Sequence, residues 1–279
     1  MKHFETKWKS HDGLDIFAQG WNPDASQPRA VICLVHGIGE HTLRYLNVAE
    51  AFTKEDYVLF GADLRGHGRY GGPRGHFPSI EAVLLDIDLL LEQAHKLYPD
   101  LPLILYGHSL GGILVLHYGL KQKPDVKGII ASSPGLHTAL EEQPVKVIAA
   151  KILGSLIPSV TIPSGLDANA ISHDKEVVEV YNNDPLVHNK MSLGFGKIML
   201  NVIQWTLEHA DEFSLPLLLM HGKADSIAYP SSSIEFASKL NKKCKLVLWE
   251  GAYHELHNEP EKAEVFKTMT GWINEQLIK

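Results

Sequence analysis

Six short apolar runs recur along the chain, separated by polar stretches with helical periodicity. The runs are AVICLVHG (30–37), YVLFGAD (57–63), PLILYGHS (102–109), VKGIIASS (126–133), PLLLMHG (216–222) and KLVLWEG (245–251). Apolarity within them is continuous rather than alternating, which is typical of strands buried on both faces of a mostly parallel sheet. The pattern predicts an α/β, doubly wound fold, whose functional groups gather at the carboxyl edge of the strands.

Helical patterns fill the gaps between these runs. Residues 79–99 begin with Ser79 as an N-cap and end at Pro99, and residues 261–278 form an amphipathic pattern at the carboxyl terminus.

The alternation of strand and helix fails once, between Gly135 and Ser214, where helical pieces bounded by prolines take over. No low-complexity linker flanks this stretch, so we expect it to pack on the same domain. The sequence thus predicts an α/β core of residues 1–134 and 215–279 with a helical cap insertion of residues 135–214.

Composition excludes several classes of protein. The chain has 279 residues, 44% of them hydrophobic, and a formal net charge of −7 without a long basic run, so we expect no nucleic-acid partner. Its two cysteines, Cys33 and Cys244, form no CxxC pair, which fits a reducing compartment. The amino terminus lacks the apolar segment of a signal peptide, and no stretch approaches the ~18 apolar residues of a membrane span. We expect a cytoplasmic protein.

The residues Gly107-His108-Ser109-Leu110-Gly111 match the pattern G-x-S-x-G. The match lies at the end of a buried strand and opens a helix, where small residues on both sides allow a strained turn to hold a serine hydroxyl out of the sheet. This context makes Ser109 a candidate nucleophile. The alternative is a glycine-rich strand-to-helix connection with a bystander serine.

A serine nucleophile needs a histidine base and a carboxylate that orients it, and in doubly wound hydrolases these follow the serine in the order acid, then histidine. Asp225 follows the run PLLLMHG and His254 follows KLVLWEG, so both are expected at the edge where Ser109 emerges.

Other histidines compete with His254 for the role of base. His257 shares its loop but stands farther from the strand end, and the bend is expected to point His108 away from Ser109, where it packs. Neither position suits a base as well as His254.

Other acids compete with Asp225. Asp184 and Asp211 lie in the predicted insertion, and Glu250 lies within a strand, whereas Asp225 lies in a carboxyl-edge loop.

An oxyanion hole needs two backbone N–H groups. Leu110 follows the nucleophile at a helix N-terminus, and Ile38 follows the His36-Gly37 pair in the loop after an early strand, so these two residues are the predicted donors.

Two further motifs mislead. The residues from Gly66 to Gly71 spell G-x-G-x-x-G, but another loop follows instead of a helix that could receive a pyrophosphate. The histidines of His254-Glu255-Leu256-His257 are three apart, whereas the zinc motif HExxH needs four. We expect no metal and no cofactor.

Six segments spread along nearly the whole chain match one known family. They are HGIGEHTLRY (36–45), ADLRGHGRYGG (62–72), GHSLGG (107–112), NDPLV (183–187), HGKAD (221–225) and YHELHNE (253–259). On these segments the chain resembles the α/β-hydrolases, and within them the monoacylglycerol lipase and lysophospholipase group. The resemblance implies an acyl-enzyme mechanism on monoacylglycerol or lysophospholipid-type esters, with Ser109 as nucleophile, His254 as base and then acid, Asp225 as its partner, and Ile38 and Leu110 as oxyanion donors. Relatives often carry a smaller residue in place of Ile38, which bears on substrate size.

Within the expected cap, residues 144–163 carry a helical stripe of apolar residues at positions 145, 148, 149, 152 and 156, interrupted only by Lys146 and Lys151. A cap helix packed on the domain and a lid that lines an acyl channel both fit this stripe, which could also rest on a lipid surface.

Three other activities stay open on this fold. They are a short-chain carboxylesterase, a serine aminopeptidase and a non-catalytic binding module. A binding module is expected to lack a member of the triad, and none is missing from the sequence.

Overall fold

Eight strands form one sheet in the computed structural model, which describes residues 1–24, 27–138, 144–240 and 244–278. The strands are β1 (Lys2–Lys9), β2 (Asp15–Asn22), β3 (Ala30–Val35), β4 (Tyr57–Ala62), β5 (Leu103–His108), β6 (Gly128–Ser132), β9 (Leu217–Gly222) and β10 (Cys244–Trp249), numbered together with two short strands, β7 (Thr161–Pro163) and β8 (Lys190–Ser192). Their order in the sheet is β1-β2-β4-β3-β5-β6-β9-β10. From β4 to β10 the neighbouring strands are parallel, as predicted.

The antiparallel hairpin of β1 and β2 at one edge of the sheet was not predicted. Strand β1 alternates exposed charged residues with half-buried ones such as Phe4 and Trp8, which pack against Phe60 of β4. An edge strand with one wet face lacks the continuous apolarity of the six buried runs.

Outside the stretch between β6 and β9, helices flank both faces of the sheet, and eight α-helices lie among the described residues in all. They are α1 (Leu46–Lys54), α2 (Ile80–Leu97), α3 (Leu110–Gln122), α4 (Pro144–Leu156), α5 (Lys175–Asn183), α6 (Leu193–Glu208), α7 (Pro230–Lys239) and α8 (Lys262–Leu277). Val31 and Cys33 of β3 pack into the core cluster that contains α2 and α3, whereas Ile32 and Leu34 pack into the cluster that contains α1 and α8. Burial on both sides explains why β3 is continuously apolar. The predicted doubly wound fold is confirmed.

Between β6 and β9 the chain forms α4, α5 and α6, together with β7 and β8, which pair in a small antiparallel ribbon. We expected no strand in this stretch, but three-residue strands are too short to show a periodic pattern. Helices α4 and α6 approach closely, because a Cβ on Gly154 would lie 2.6 Å from the carbonyl oxygen of Leu193.

The apolar stripe predicted on residues 144–163 faces outward wherever its side chains are described. Ile148, Ile152 and Leu156 are 57%, 57% and 72% exposed, while the side chains at positions 145, 146, 149 and 151 lie outside the described residues. The described part of the stripe is therefore exposed rather than buried against the domain. No helix among the described residues is both long and apolar enough to cross a bilayer.

The cap is tied to the loop after β10. The backbone N–H of Glu255 donates to the carbonyl oxygen of Ile171 at 2.8 Å. The Glu259 carboxylate accepts hydrogen bonds from the backbone N–H of His173 at 3.1 Å and from its ring Nδ1 at 2.8 Å. These contacts join the cap to the segment that carries His254.

Candidate active site

Ser109 occupies a sharp bend between β5 and α3. Its φ of 55° and ψ of −114° are unusual for a residue with a side chain, and such strain is typical of functional sites. Gly107 and Gly111 make the bend feasible, because a Cβ on Gly107 would collide with the carbonyl oxygen of Gly111, and one on Gly111 with that of Val35. The bend turns the chain at the carboxyl edge of the central strand, with the serine at its apex.

A chain of hydrogen bonds connects Ser109, His254 and Asp225. The Ser109 Oγ lies 2.8 Å from His254 Nε2, and His254 Nδ1 lies 2.7 Å from Asp225 Oδ2. Because His254 Nδ1–H donates a hydrogen bond to the carboxylate, Nε2 carries no proton and can accept the one from the serine hydroxyl. Ser109, His254 and Asp225 are 8%, 2% and 4% exposed, so this hydrogen-bonded series, here called the relay, is almost completely shielded from solvent.

Four N–H groups hold the Asp225 carboxylate. Its Oδ1 accepts from the backbone N–H groups of Ile227 at 2.9 Å and Ala228 at 3.0 Å. Its Oδ2 accepts from His254 and also from His221 Nε2 at 3.1 Å. Each carboxylate oxygen thus accepts two hydrogen bonds from fixed donors, which hold the carboxylate in one orientation.

His221 was not singled out by the sequence analysis. Its Nε2 faces two acceptors, Asp225 and the carbonyl oxygen of Ala228 at 2.9 Å, and so carries the proton. Its Nδ1 accepts a hydrogen bond from the Ser233 hydroxyl at 2.7 Å. The available signal was its position at the end of β9, four residues before the acid.

The interaction between Asp225 and His254 shifts the pKa values of the two groups in opposite directions. Burial alone would raise the pKa of the Asp225 carboxyl, but the charge of His254 and hydrogen bonds from His221 and His254 outweigh burial and hold that pKa well below its ordinary range. Burial alone would lower the pKa of His254, but the charge of Asp225 and its hydrogen bond outweigh burial and raise it. Asp225 is therefore ionised, and His254 readily takes up a proton.

The predicted oxyanion donors, Ile38 and Leu110, line the same cavity as Ser109. Leu110 is the first residue of α3, so its N–H has no acceptor within the helix. The loop of Ile38 passes close to the serine, because a Cβ on Gly37 would lie 3.3 Å from the Ser109 Cβ.

A cavity of about 430 Å³, here called the cap cavity, extends from Ser109 between the core and the cap. Its described lining is mainly apolar, and one wall is helix α6, including Phe195, Met199 and Ile203. None of the described lining residues comes from α4, so α6 supplies the apolar surface that the sequence analysis sought in residues 144–163.

A family model described as "Hydrolase_4: Serine aminopeptidase, S33" matches residues 26–261. The chain belongs to this family of serine hydrolases. It has the α/β-hydrolase fold with an inserted helical cap.

Similar proteins cover nearly the whole chain. A monoacylglycerol lipase of Mycolicibacterium smegmatis is 35% identical over 267 residues, which are 95% of each chain. The crystal structure of Paleococcus ferrophilus monoacylglycerol lipase matches with a TM-score of 0.83 and 29% identity over 99% of this chain and 100% of that one. An uncharacterized abhydrolase domain-containing protein of Dictyostelium discoideum is 40% identical over 92% of this chain, which spans only 27% of that longer protein.

The competing histidines lie beside the relay of this Hydrolase_4 member without joining it. The ring of His257 stacks on Tyr45 at 4.6 Å, and neither of its nitrogens meets a hydrogen-bond partner among the described residues. The ring of His108 packs 4.9 Å from those of both His254 and His257.

The competing acids lie elsewhere. Asp184 pairs with His41 at 2.9 Å, and Asp211 lies in a short turn after α6. Glu250 is exposed and pairs with Lys223 at 2.6 Å.

A buried ion group lies behind the site and was missed by the sequence analysis. Arg44 donates to both carboxylate oxygens of Glu255, at 2.7 and 2.8 Å, and to Glu40 Oε2 at 2.6 Å. Glu40 Oε1 in turn accepts the N–H of Gly37 at 2.5 Å. The group therefore joins the Ile38 loop to the His254 loop. Burial alone would raise the pKa of Glu255, but the charge of Arg44 outweighs the effect of burial and lowers that pKa to about 2.

The two motifs that the sequence analysis set aside lie in loop or short 3-10 segments. The loop from Gly66 to Gly71 is followed by further loop until α2 begins at Ile80. Across the described ranges, no cluster of three or more histidine, cysteine, aspartate or glutamate side chains could hold a metal ion.

Proposed function

We propose that the protein hydrolyses the ester bond of monoacylglycerols, and of related esters with a single acyl chain, through an acyl-enzyme on Ser109. One observation carries the proposal: the hydrogen-bonded series of Ser109, His254 and Asp225 opens on an apolar cavity of about 430 Å³. A relative and a solved structure that match nearly the whole chain, both called monoacylglycerol lipases, support this substrate class.

The chemistry follows from the hydrogen bonds. Ser109 Oγ attacks the ester carbonyl carbon while its proton passes to His254 Nε2, and Asp225 stabilises the resulting imidazolium. The tetrahedral intermediate collapses when the ester C–O bond breaks and His254 gives its proton to the departing glycerol oxygen. A water molecule then attacks the acyl-serine, with His254 again accepting and returning the proton.

The backbone N–H groups of Ile38 and Leu110 are the proposed donors to the oxyanion. The dipole of α3 reinforces the Leu110 N–H, because that residue begins the helix. The hydrogen bond from Gly37 to Glu40 supports the loop that carries Ile38.

Residues 135–214 are the proposed cap, and its outer surface is a proposed contact with lipid. Seven large apolar residues of one segment are at least 38% exposed, a set here called the outer cap stripe: Ile148, Ile152, Leu153, Leu156, Ile157, Val160 and Ile162. An exposed apolar patch of this kind is typical of an interaction site, and a lipid surface is where a single-chain acyl ester resides. The proposed location is cytoplasmic, and the outer cap stripe is the proposed site of peripheral contact with membranes.

Activity-based labelling tests the reaction. A fluorophosphonate probe is expected to label Ser109, with the adduct located by mass spectrometry, and Ser109→Ala is expected to abolish labelling. An adduct on Ser132 or Ser133 would contradict the assignment.

A comparison of substrates tests the substrate class. Hydrolysis of a monoacylglycerol but not of an aminoacyl arylamide would separate this function from that of an aminopeptidase. A rate maximum at acyl chains of two to four carbons would favour a short-chain carboxylesterase.

Vesicle binding tests the outer cap stripe. The double change Ile152→Ser and Leu156→Ser is expected to reduce co-sedimentation with phosphatidylcholine vesicles. The matched control is Ile234→Ser on α7, which is 46% exposed and lies outside the stripe. Equal sedimentation of the three proteins would refute the lipid contact.

A further inference from the structure

Helix α6 contains a glycine at position 196 that the fold does not require. Glycine inside a helix is less stable than alanine by roughly 0.5–1 kcal/mol, so such a residue normally has a local reason. The neighbouring Gly194 has one, because a Cβ there would lie 2.8 Å from Pro158 Cβ and 2.9 Å from its carbonyl oxygen. Gly194 thus allows the chain to pass close to α6.

Gly196 has none of the usual structural reasons for a glycine inside a helix. Its φ lies outside the left-handed region. A Cβ would approach only the flexible end of Met191, at 3.5 Å from Cε and 3.9 Å from Sδ, which are ordinary van der Waals distances. Apart from its two chain neighbours and the backbone of its own helix, nothing else among the described residues lies within 4 Å of that position.

The open space beside Gly196 is the cap cavity. Gly196 is buried, so the space is not bulk solvent, and both it and Met191 line the cavity that begins at Ser109. Phe195 and Met199 of the same helix line it as well. A side chain at position 196 would therefore project into the cavity and reduce its volume.

We propose that Gly196 is a specificity-determining residue, whose missing side chain provides room for the acyl chain; this inference rests on the proposed function. At about 30 Å³ for each water-sized group, a cavity of 430 Å³ holds about 14 heavy atoms. A leucine side chain has four, so it would remove about four methylenes of capacity. Each methylene that loses its place costs about fourfold in kcat/KM.

A chain-length series with Gly196→Leu tests the proposal. Monoacylglycerols of two to eighteen carbons are assayed below their micelle concentrations. In the wild type, kcat/KM is expected to rise with length and level off near twelve to fourteen carbons, about the number of heavy atoms that the cavity holds. In Gly196→Leu it is expected to level off about four carbons earlier. An unchanged plateau would overturn the proposal.

Two further variants keep the test informative. If Gly196→Leu does not fold, Gly196→Ala serves instead, with a plateau about one carbon shorter and a raised melting temperature. Gly271→Ala on α8, an exposed position with open space around it, is the matched control and should gain stability without shifting the plateau. A wild type that cleaves no monoacylglycerol would refute the proposed function, whereas an active wild type whose plateau does not respond at position 196 would refute only this inference.

Discussion

Replacing His221 by leucine removes one of the four N–H groups that hold the Asp225 carboxylate, while the volume of the buried side chain changes little. A hydrogen bond to a charged group contributes about 1.5–3 kcal/mol, which corresponds to roughly 10- to 100-fold in rate if the whole contribution is lost in the transition state. We expect kcat to fall by this factor. KM should change little, because His221 is not among the described residues that line the cap cavity.

His221→Gln is the matched control for that loss. The glutamine amide can place its NH₂ group near the position of Nε2, where one hydrogen donates to Asp225 and the other to the carbonyl oxygen of Ala228, so it should restore most of kcat. Steady-state kinetics on a monomeric monoacylglycerol, with thermal unfolding of each variant, separates the two effects. The reasoning is refuted if a folded His221→Leu keeps kcat within about twofold of the wild type, or if both variants are equally impaired.

Three other predictions concern the relay and its surroundings. Ser109→Ala and His254→Ala should each lower kcat by several orders of magnitude, and the double variant should lose little more, because triad members act as a unit; additive losses in kcat would contradict this. The acid limb of the kcat/KM profile should lie above pH 6.5, the ordinary pKa of histidine, because the pKa of His254 is raised, and a limb below that pH would contradict the assignment. Burial lowers the pKa of His257 to about 4 in the folded protein. The unfolded chain therefore binds more protons than the folded one between about pH 6.5 and 4, and the free energy of unfolding should fall by up to about 3 kcal/mol as the pH decreases through that window. His257→Phe should flatten this part of a plot of unfolding free energy against pH, and an unchanged slope would exclude His257 as its source.

The sheet could be predicted because burial on two faces leaves a local signature. Each residue of β3 is buried, so its continuous apolarity was visible without knowledge of its neighbours. Strand β1 lies at the edge with one face in water, and its alternation of polar and apolar residues resembles an ordinary surface segment. The outward direction of the outer cap stripe could not be predicted either, since an apolar helix face looks the same in sequence whether it meets protein, lipid or water.

The candidate site divides in the same way. Ser109, Asp225 and His254 could be proposed because each follows a recognisable strand, and parallel strands bring their carboxyl ends together. The contacts of Arg44 with Glu255 span 211 positions of the chain and have no local pattern. His221 likewise appeared to be one more strand residue, and only the surrounding acceptors reveal which of its nitrogens carries the proton.

The attachment between the cap and the His254 loop has a consequence for recombining members of this family. Glu259 is 1% exposed, and its carboxylate depends on donors from His173, which lies 86 positions earlier. A chimaera whose cap carried no histidine at position 173 would leave this buried carboxylate without its ring donor, and removing a partner from a buried charge is strongly destabilising. Crossover points in a shuffled library should therefore keep residues 171–173 and 255–259 from the same parent.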